Sequence, residues 1–170
     1  MTDGTSRAIP DPGFAGDTGA VDPALAEALV AYAADPDGRH DATLAVLQHT
    51  RLLVPVVAVL GEVEYDDQGL AHDKTSDMAA VLMQGRDGRT ALLAFTGTGS
   101  LQRWNPEARP VPVPAQQAAQ AALQDGAAAL LVDVAGPAVL VVEEDDLREL
   151  ASGHTLVELS GRYAWVTPGP

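Results

Sequence analysis

The chain has 170 residues, 24 of them acidic and 10 basic, for a formal charge of -14, and it contains no cysteine. That length suits one domain with a sizeable core. The charge opposes binding to nucleic-acid phosphates or an anionic membrane and favours basic protein surfaces. The missing thiols exclude disulfides, thiol catalysis and cysteine metal sites, and fit a cytoplasmic protein.

Residues 1–19 are rich in Gly, Pro, Asp, Thr and Ser and read as an irregular lead-in, without the basic start and apolar core of a signal peptide. A domain is expected over 20–153, and a tail over 154–170 that adds a strand or packs loosely. The first helix starts at Asp22-Pro23, where Asp22 caps free N–H groups and Pro23 tolerates the first turn. Leu25, Leu29 and Tyr32 space its apolar face, and Pro36 and Gly38 are expected to stop it. Asp41 or Thr43 opens a second short helix through Gln48.

Arg51 to Leu60 reads as a strand, placed at an edge or bulged because Pro55 lacks a ladder donor. Its apolar part, Leu52 to Leu60, is nine residues, too short for a membrane-spanning helix. Gly61 to Asp77 is an acidic loop, which Glu62-Val63-Glu64-Tyr65 shortens if it extends the strand. Met78–Met83 and Thr90–Thr96 are apolar runs about a turn, Gln84 to Arg89, whose two glycines tolerate positive φ. They predict a β-hairpin at the centre of a mixed sheet. Thr98 or Ser100 is expected to cap a short helix, Leu101 to Trp104, ended by Pro106. Pro110-Val111-Pro112-Val113-Pro114 reads as an extended connector. Ala115 to Gln124 is helical, Ala128 to Val134 and Val139 to Val142 are strands, and Glu143 to Leu150 is a helix. The fold class is α/β in the α+β sense: a central mixed sheet with helices packed against it.

No recognised reactive constellation accompanies these elements. The four histidines lack the spacing of a zinc enzyme, and the acidic loop lacks the order of an EF-hand. Gly97-x-Gly99 lacks a third glycine, and Ser100 has no identifiable histidine and acid. Lys74, the only lysine, stands beside Thr75, Ser76 and Asp77 immediately before a strand, where it can hold an anion or a carboxylate. Lys-Thr-Ser resembles one element of the serine β-lactamases, but their Ser-x-x-Lys is absent. Trp104, with Arg103 beside it, either closes the core over the hairpin or presents an aromatic edge to a partner.

The order Leu52–Leu60, Lys74–Met78, Gly88-Arg89…Ala94-Phe95-Thr96, Leu101…Trp104, Pro110-Val111 and Gly126-Ala127…Leu131-Val132-Asp133…Gly136-Pro137 resembles the SseB N-terminal domain family. The resemblance covers roughly Ala24 to Leu150, and the Ala-rich, Lys-poor composition is similar to that of members from high-GC actinobacteria. It implies a compact α/β domain without an agreed catalytic set. Lys74, Ser76, Asp77, Phe95, Thr96 and Trp104 are then fold or surface determinants.

The expected function is that of a non-enzymatic, cytoplasmic protein-interaction or accessory domain, needing no cofactor or metal. It would meet a protein partner and neither nucleic acid nor membrane, with Lys74, Thr75, Ser76, Asp77, Arg103 and Trp104 as candidate contacts. The alternative is a small-molecule or anion-binding domain built on Lys74–Asp77. A homodimer is a further expectation, through the Leu52 strand or the tail.

Overall fold

The computed structural model describes residues 14–59, 64–65, 71–72 and 77–169. Two helices come first, α1 (Pro23–Ala34) and α2 (Pro36–Leu47). Asp22 caps α1 by accepting from the Leu25 N–H at 3.1 Å, as its sequence predicts. Pro36 does not simply stop the chain. Asp35 accepts from the Gly38 N–H at 3.1 Å, so Asp35-Pro36 repeats the Asp22-Pro23 device and starts α2 five residues before the expected Asp41.

The central strand β1 (Arg51–Val59) lies between β4 (Asp77–Ala80) and β7 (Arg109–Pro114), both antiparallel to it. The short pair β2 (Glu64–Tyr65) and β3 (Ala71–His72) intervenes in sequence. Pro55 therefore sits in an interior strand and in unbroken register with β7, neither at an edge nor at a bulge as expected. Leu53 exchanges both backbone bonds with Phe95, at 2.8 and 2.9 Å, so the odd residues of β1 face away from β7. The missing Pro55 N–H falls where β1 passes from Phe95 to Val81, whose N–H donates to the Pro55 carbonyl at 3.3 Å.

The same alternation explains Pro110-Val111-Pro112-Val113-Pro114, which is a strand rather than a connector. Pro112 lies opposite Leu53 and Pro110 opposite Pro55. Their nitrogens face outward, while Val111 and Val113 face Val54 and Leu52 in the bonded positions. The prolines thus blunt the outer edge of β7.

A second sheet runs β5 (Leu82–Gln84), β6 (Thr90–Ala94), β8 (Ala129–Val132), β9 (Leu140–Glu143). The predicted hairpin is present as β5–β6, with Gly88 at φ +83°, but its first arm is split. Val81 donates to Pro55 and accepts from the Leu93 N–H at 3.0 Å. Residues before Val81 pair with β1 and those after it with β6. This one residue stitches the sheets together, with β6 interior and β5 at an edge.

Between β6 and β7 lies α3 (Thr98–Trp104), between β7 and β8 lies α4 (Ala115–Gln124), and α5 (Glu144–Ala151) follows β9. Among the described residues no side chain caps α3; Gly97 fills that position, where the sequence suggests Thr98 or Ser100. The larger core joins Leu25, Leu44 and Leu47, the alanine face of α4, and Leu147 and Leu150 to Leu52, Leu92, Leu130 and Val142. Alanines at 118, 119 and 122 bring α4 close to the sheet, which is how a chain with few aromatics fills its interior. A smaller core of Leu53, Leu93, Phe95 and Leu101 lies on the other face beneath Trp104. The segment after α5 forms a hairpin, β10 (Thr155–Leu159) with β11 (Arg162–Val166). Among the described residues, no helix is long and apolar enough to cross a membrane.

Candidate functional site

Strands β6 and β8 are parallel neighbours, with Ala94 opposite Val132. Chain leaving their carboxyl ends opens a crevice, the usual ligand position in sheets with parallel strands. Here Thr96 and Asp133 leave side by side. Asp133 is 5% exposed and adopts φ +57°, a conformation that Asp tolerates better than most residues. Its carboxylate accepts from the Thr96 N–H at 2.9 Å and from Thr96 Oγ1 at 2.6 Å. Both oxygens of this buried acid are therefore occupied by one residue across the strand pair.

The segment before α1 presses on the same turn. Arg51, its side chain 11% exposed, forks onto Asp17 through Nε (2.6 Å) and Nη2 (2.9 Å). It also donates to the carbonyls of Thr96 (2.5 Å) and Ala20 (2.7 Å). The guanidinium's hydrogen bonds hold the Asp17 carboxyl below the usual carboxylate range. The Thr98 N–H donates to the Gly19 carbonyl at 2.8 Å. A Cβ on Gly97 would lie 3.1 Å from the Gly19 oxygen and the Val21 nitrogen, so glycine permits this approach.

Between α1 and the β6–α3 turn these contacts leave an open cleft of about 490 Å³. Ala20, Val21, Ala26, Leu29, Val30 and Pro137 supply its apolar wall. Thr96, Thr98, Ser100, Arg103 and Asp133 supply the polar groups, and Thr98 Oγ1 donates to the Gly19 carbonyl at 3.3 Å. Ser100 Oγ donates to the Gly97 carbonyl at 3.0 Å, and no histidine lines the cleft among the described residues. Its buried side-chain polar groups thus serve the fold. Val30, 71% exposed, stands on the rim.

The predicted contacts separate. Lys74, Thr75 and Ser76 lie outside the described residues. Asp77 opens β4 opposite Val59, and its side chain lies outside them too. Arg103 reaches the cleft and donates from Nε to the Ala135 carbonyl at 3.4 Å. Adjacent Trp104 turns the other way and packs on Phe95, with ring centroids 5.4 Å apart. It closes the smaller core, the first of the two roles its sequence position suggested. Sequence reasoning missed Arg51, Asp133 and Val30. The signal for Asp133 was an Asp ending an apolar run three residues before Gly136. Val30 carried none, being one apolar residue on an alanine-rich helix.

Comparison with known proteins finds no match among curated proteins and none among solved structures. The SseB protein N-terminal domain matches residues 25–149, which contain α1 from Leu25 onward, both sheets and the β6–α3 turn. The chain belongs to the SseB N-terminal domain family.

Proposed function

We propose that this chain is a non-enzymatic, cytoplasmic interaction domain. A protein partner would insert an apolar side chain into the cleft between α1 and the β6–α3 turn. The observation that carries the reading is the pairing of an accessible apolar wall with polar groups already used by the fold. Val30 stands exposed beside Leu29 and Ala26, whereas Asp133, Thr96 and Ser100 spend their hydrogen bonds internally. A nucleophile needs a base within reach, and among the described residues Ser100 has neither a histidine nor a free carboxylate in the cleft. Arg103 on the rim supplies an exposed guanidinium for a carboxylate or backbone carbonyl, a frequent anchor at interfaces.

A second reading rests on the cleft's size. About 490 Å³ falls within the span of small-molecule pockets, so a compact, largely apolar ligand is the alternative occupant. Affinity capture with wild type, Val30→Glu and Val139→Glu separates these readings. Val30 borders the cleft; Val139 is exposed before β9 and does not line it. A partner retained by wild type and Val139→Glu but lost by Val30→Glu supports the interaction reading. Equal retention by all three overturns it. A small molecule released on denaturing the wild type, with no protein captured, favours the second.

A further inference from the structure

The hairpin β10–β11 lies beyond the family match at 25–149 and is joined by a two-residue turn, Ser160-Gly161. Both turn residues have positive φ, +53° and +77°, the backbone of a tight type I′ reversal. Its two outer edges differ. On β10, the Leu156 N–H donates to Gln48 Oε1 at 2.8 Å, and Gln48 Nε2 donates to the Leu156 carbonyl at 2.9 Å. The Gln48 amide thus occupies the place of a neighbouring strand. Because Leu156 turns its backbone groups away from β11, its partner Trp165 turns its own groups away from β10. Tyr163, opposite Glu158, does the same. The N–H and C=O groups of Tyr163 and Trp165 consequently face outward, without a partner among the described residues.

The fold blunts two of its other outer strands, while the described parts of β4 and β5 are only four and three residues long. Prolines at 110, 112 and 114 blunt β7, and β9 runs into the consecutive acids Glu143 to Asp146. β11 has neither device: its five residues, Arg162 to Val166, contain no proline and only one charge. Two copies of a chain with formal charge -14 repel unless they meet where charge is low. Within Thr155–Val166, Glu158 and Arg162 cancel, and the acids nearest β11 are Asp37 and Asp41, which share a cleft with Arg162 and Tyr163, and Asp146, which accepts from Trp165 Nε1 at 2.9 Å. Leu159 and Val166, 57% and 37% exposed, lie on the same hairpin.

We propose that β11 pairs antiparallel with β11 of a second copy of this chain, centred on Ala164. The register closes on itself. Tyr163 of each copy meets Trp165 of the other, and each such pair exchanges two backbone bonds, satisfying every outward group of both residues. The two Ala164 residues face each other across the axis in the close, non-bonded position, about 4.5 Å between Cα atoms. The exposed alanine leaves room for that approach. The two hairpins become one four-stranded sheet. A contact of this size belongs to the weak, concentration-dependent class. This surface is separate from the α1 cleft and stands or falls independently of it.

Light scattering across micromolar to millimolar concentration tests the pairing. Wild type should rise from 17.6 kDa towards twice that mass. Ala164→Lys, which sets two cations against each other at the axis, should stay at 17.6 kDa with unchanged circular dichroism. Because the chain has no cysteine, Ala164→Cys adds one thiol, and mild oxidation should give a covalent dimer. Val139→Cys, on another exposed surface, should not. Wild type at 17.6 kDa throughout, or a dimer that Ala164→Lys leaves intact, overturns the proposal.

Discussion

Replacing Asp133 tests the hinge of the cleft. Asp133→Ala removes the acceptor for two Thr96 bonds, of 2.9 and 2.6 Å, at a position only 5% exposed. Hydrogen bonds to a charged group contribute about 1.5–3 kcal/mol each, and they are not additive when one side chain makes both. Alanine must also hold φ near +57°, which costs about 1 kcal/mol. The expected loss is about 3–4 kcal/mol, a large share of the roughly 5–15 kcal/mol typical of a domain. Asp133→Asn keeps the shape, tolerates the same φ and still accepts from the Thr96 N–H, while the Thr96 hydroxyl turns to accept from the amide. It should cost about 1 kcal/mol. Urea unfolding followed by tryptophan fluorescence measures both variants. With a slope of about 2 kcal/mol per molar, the midpoint should fall by about 1.5–2 M for Ala and about 0.5 M for Asn. Equal shifts for the two, or a loss below about 1 kcal/mol for Asp133→Ala, would refute the claim that this carboxylate ties β8 to β6.

Arg51→Met keeps the apolar stem but loses the guanidinium's four bonds, and should cost about 2 kcal/mol in thermal or urea unfolding. The Asp17 carboxyl is held below its ordinary value of 3.8, so the bridge stabilises the fold above that pH. The contribution fades as pH falls through the lower folded value; wild type should therefore lose more stability than Arg51→Met between neutral pH and the acid limb. Trp104→Ala should cost about 2–3 kcal/mol by uncovering Phe95, yet leave partner capture intact once folded, because Trp104 faces away from the cleft. Gln48→Ala should free the C-terminal hairpin, seen as faster amide hydrogen exchange at Leu156, with a stability loss of about 1–2 kcal/mol.

Local signals carried most of the fold. Asp22-Pro23, the alanine-rich period of α4 and the glycine-bearing turn before β6 each encode their element within a few residues, and all three form. Asp35-Pro36 carries the same signal as Asp22-Pro23, but a proline at the end of a helical run reads equally as a stop, and here it both follows α1 and opens α2. The larger misreadings share one cause: strand partners lie far away in sequence. Whether Pro55 belongs at an edge depends on which side of β1 its missing N–H faces, and that follows from bonds to Phe95 and Val81. Whether Pro110–Pro114 is a connector depends on its register against β1. The split at Val81 arises because one run serves two sheets. The tail's hairpin does have a local signal, the Ser160-Gly161 turn with both residues at positive φ. The site was less legible still. Arg51 and Asp17 are 34 residues apart, and Thr96 and Asp133 are 37, with nothing local to link them.

The claim on which the functional account rests is that the α1 side of the cleft meets a protein partner. Photo-crosslinking in cells from a benzophenone side chain placed at Val30, with the same group at Val139 as reference, measures this directly. A discrete adduct is expected from position 30, competed away by untagged wild-type chain, and none from position 139. No adduct at 30, or the same adducts from both positions, would contradict it.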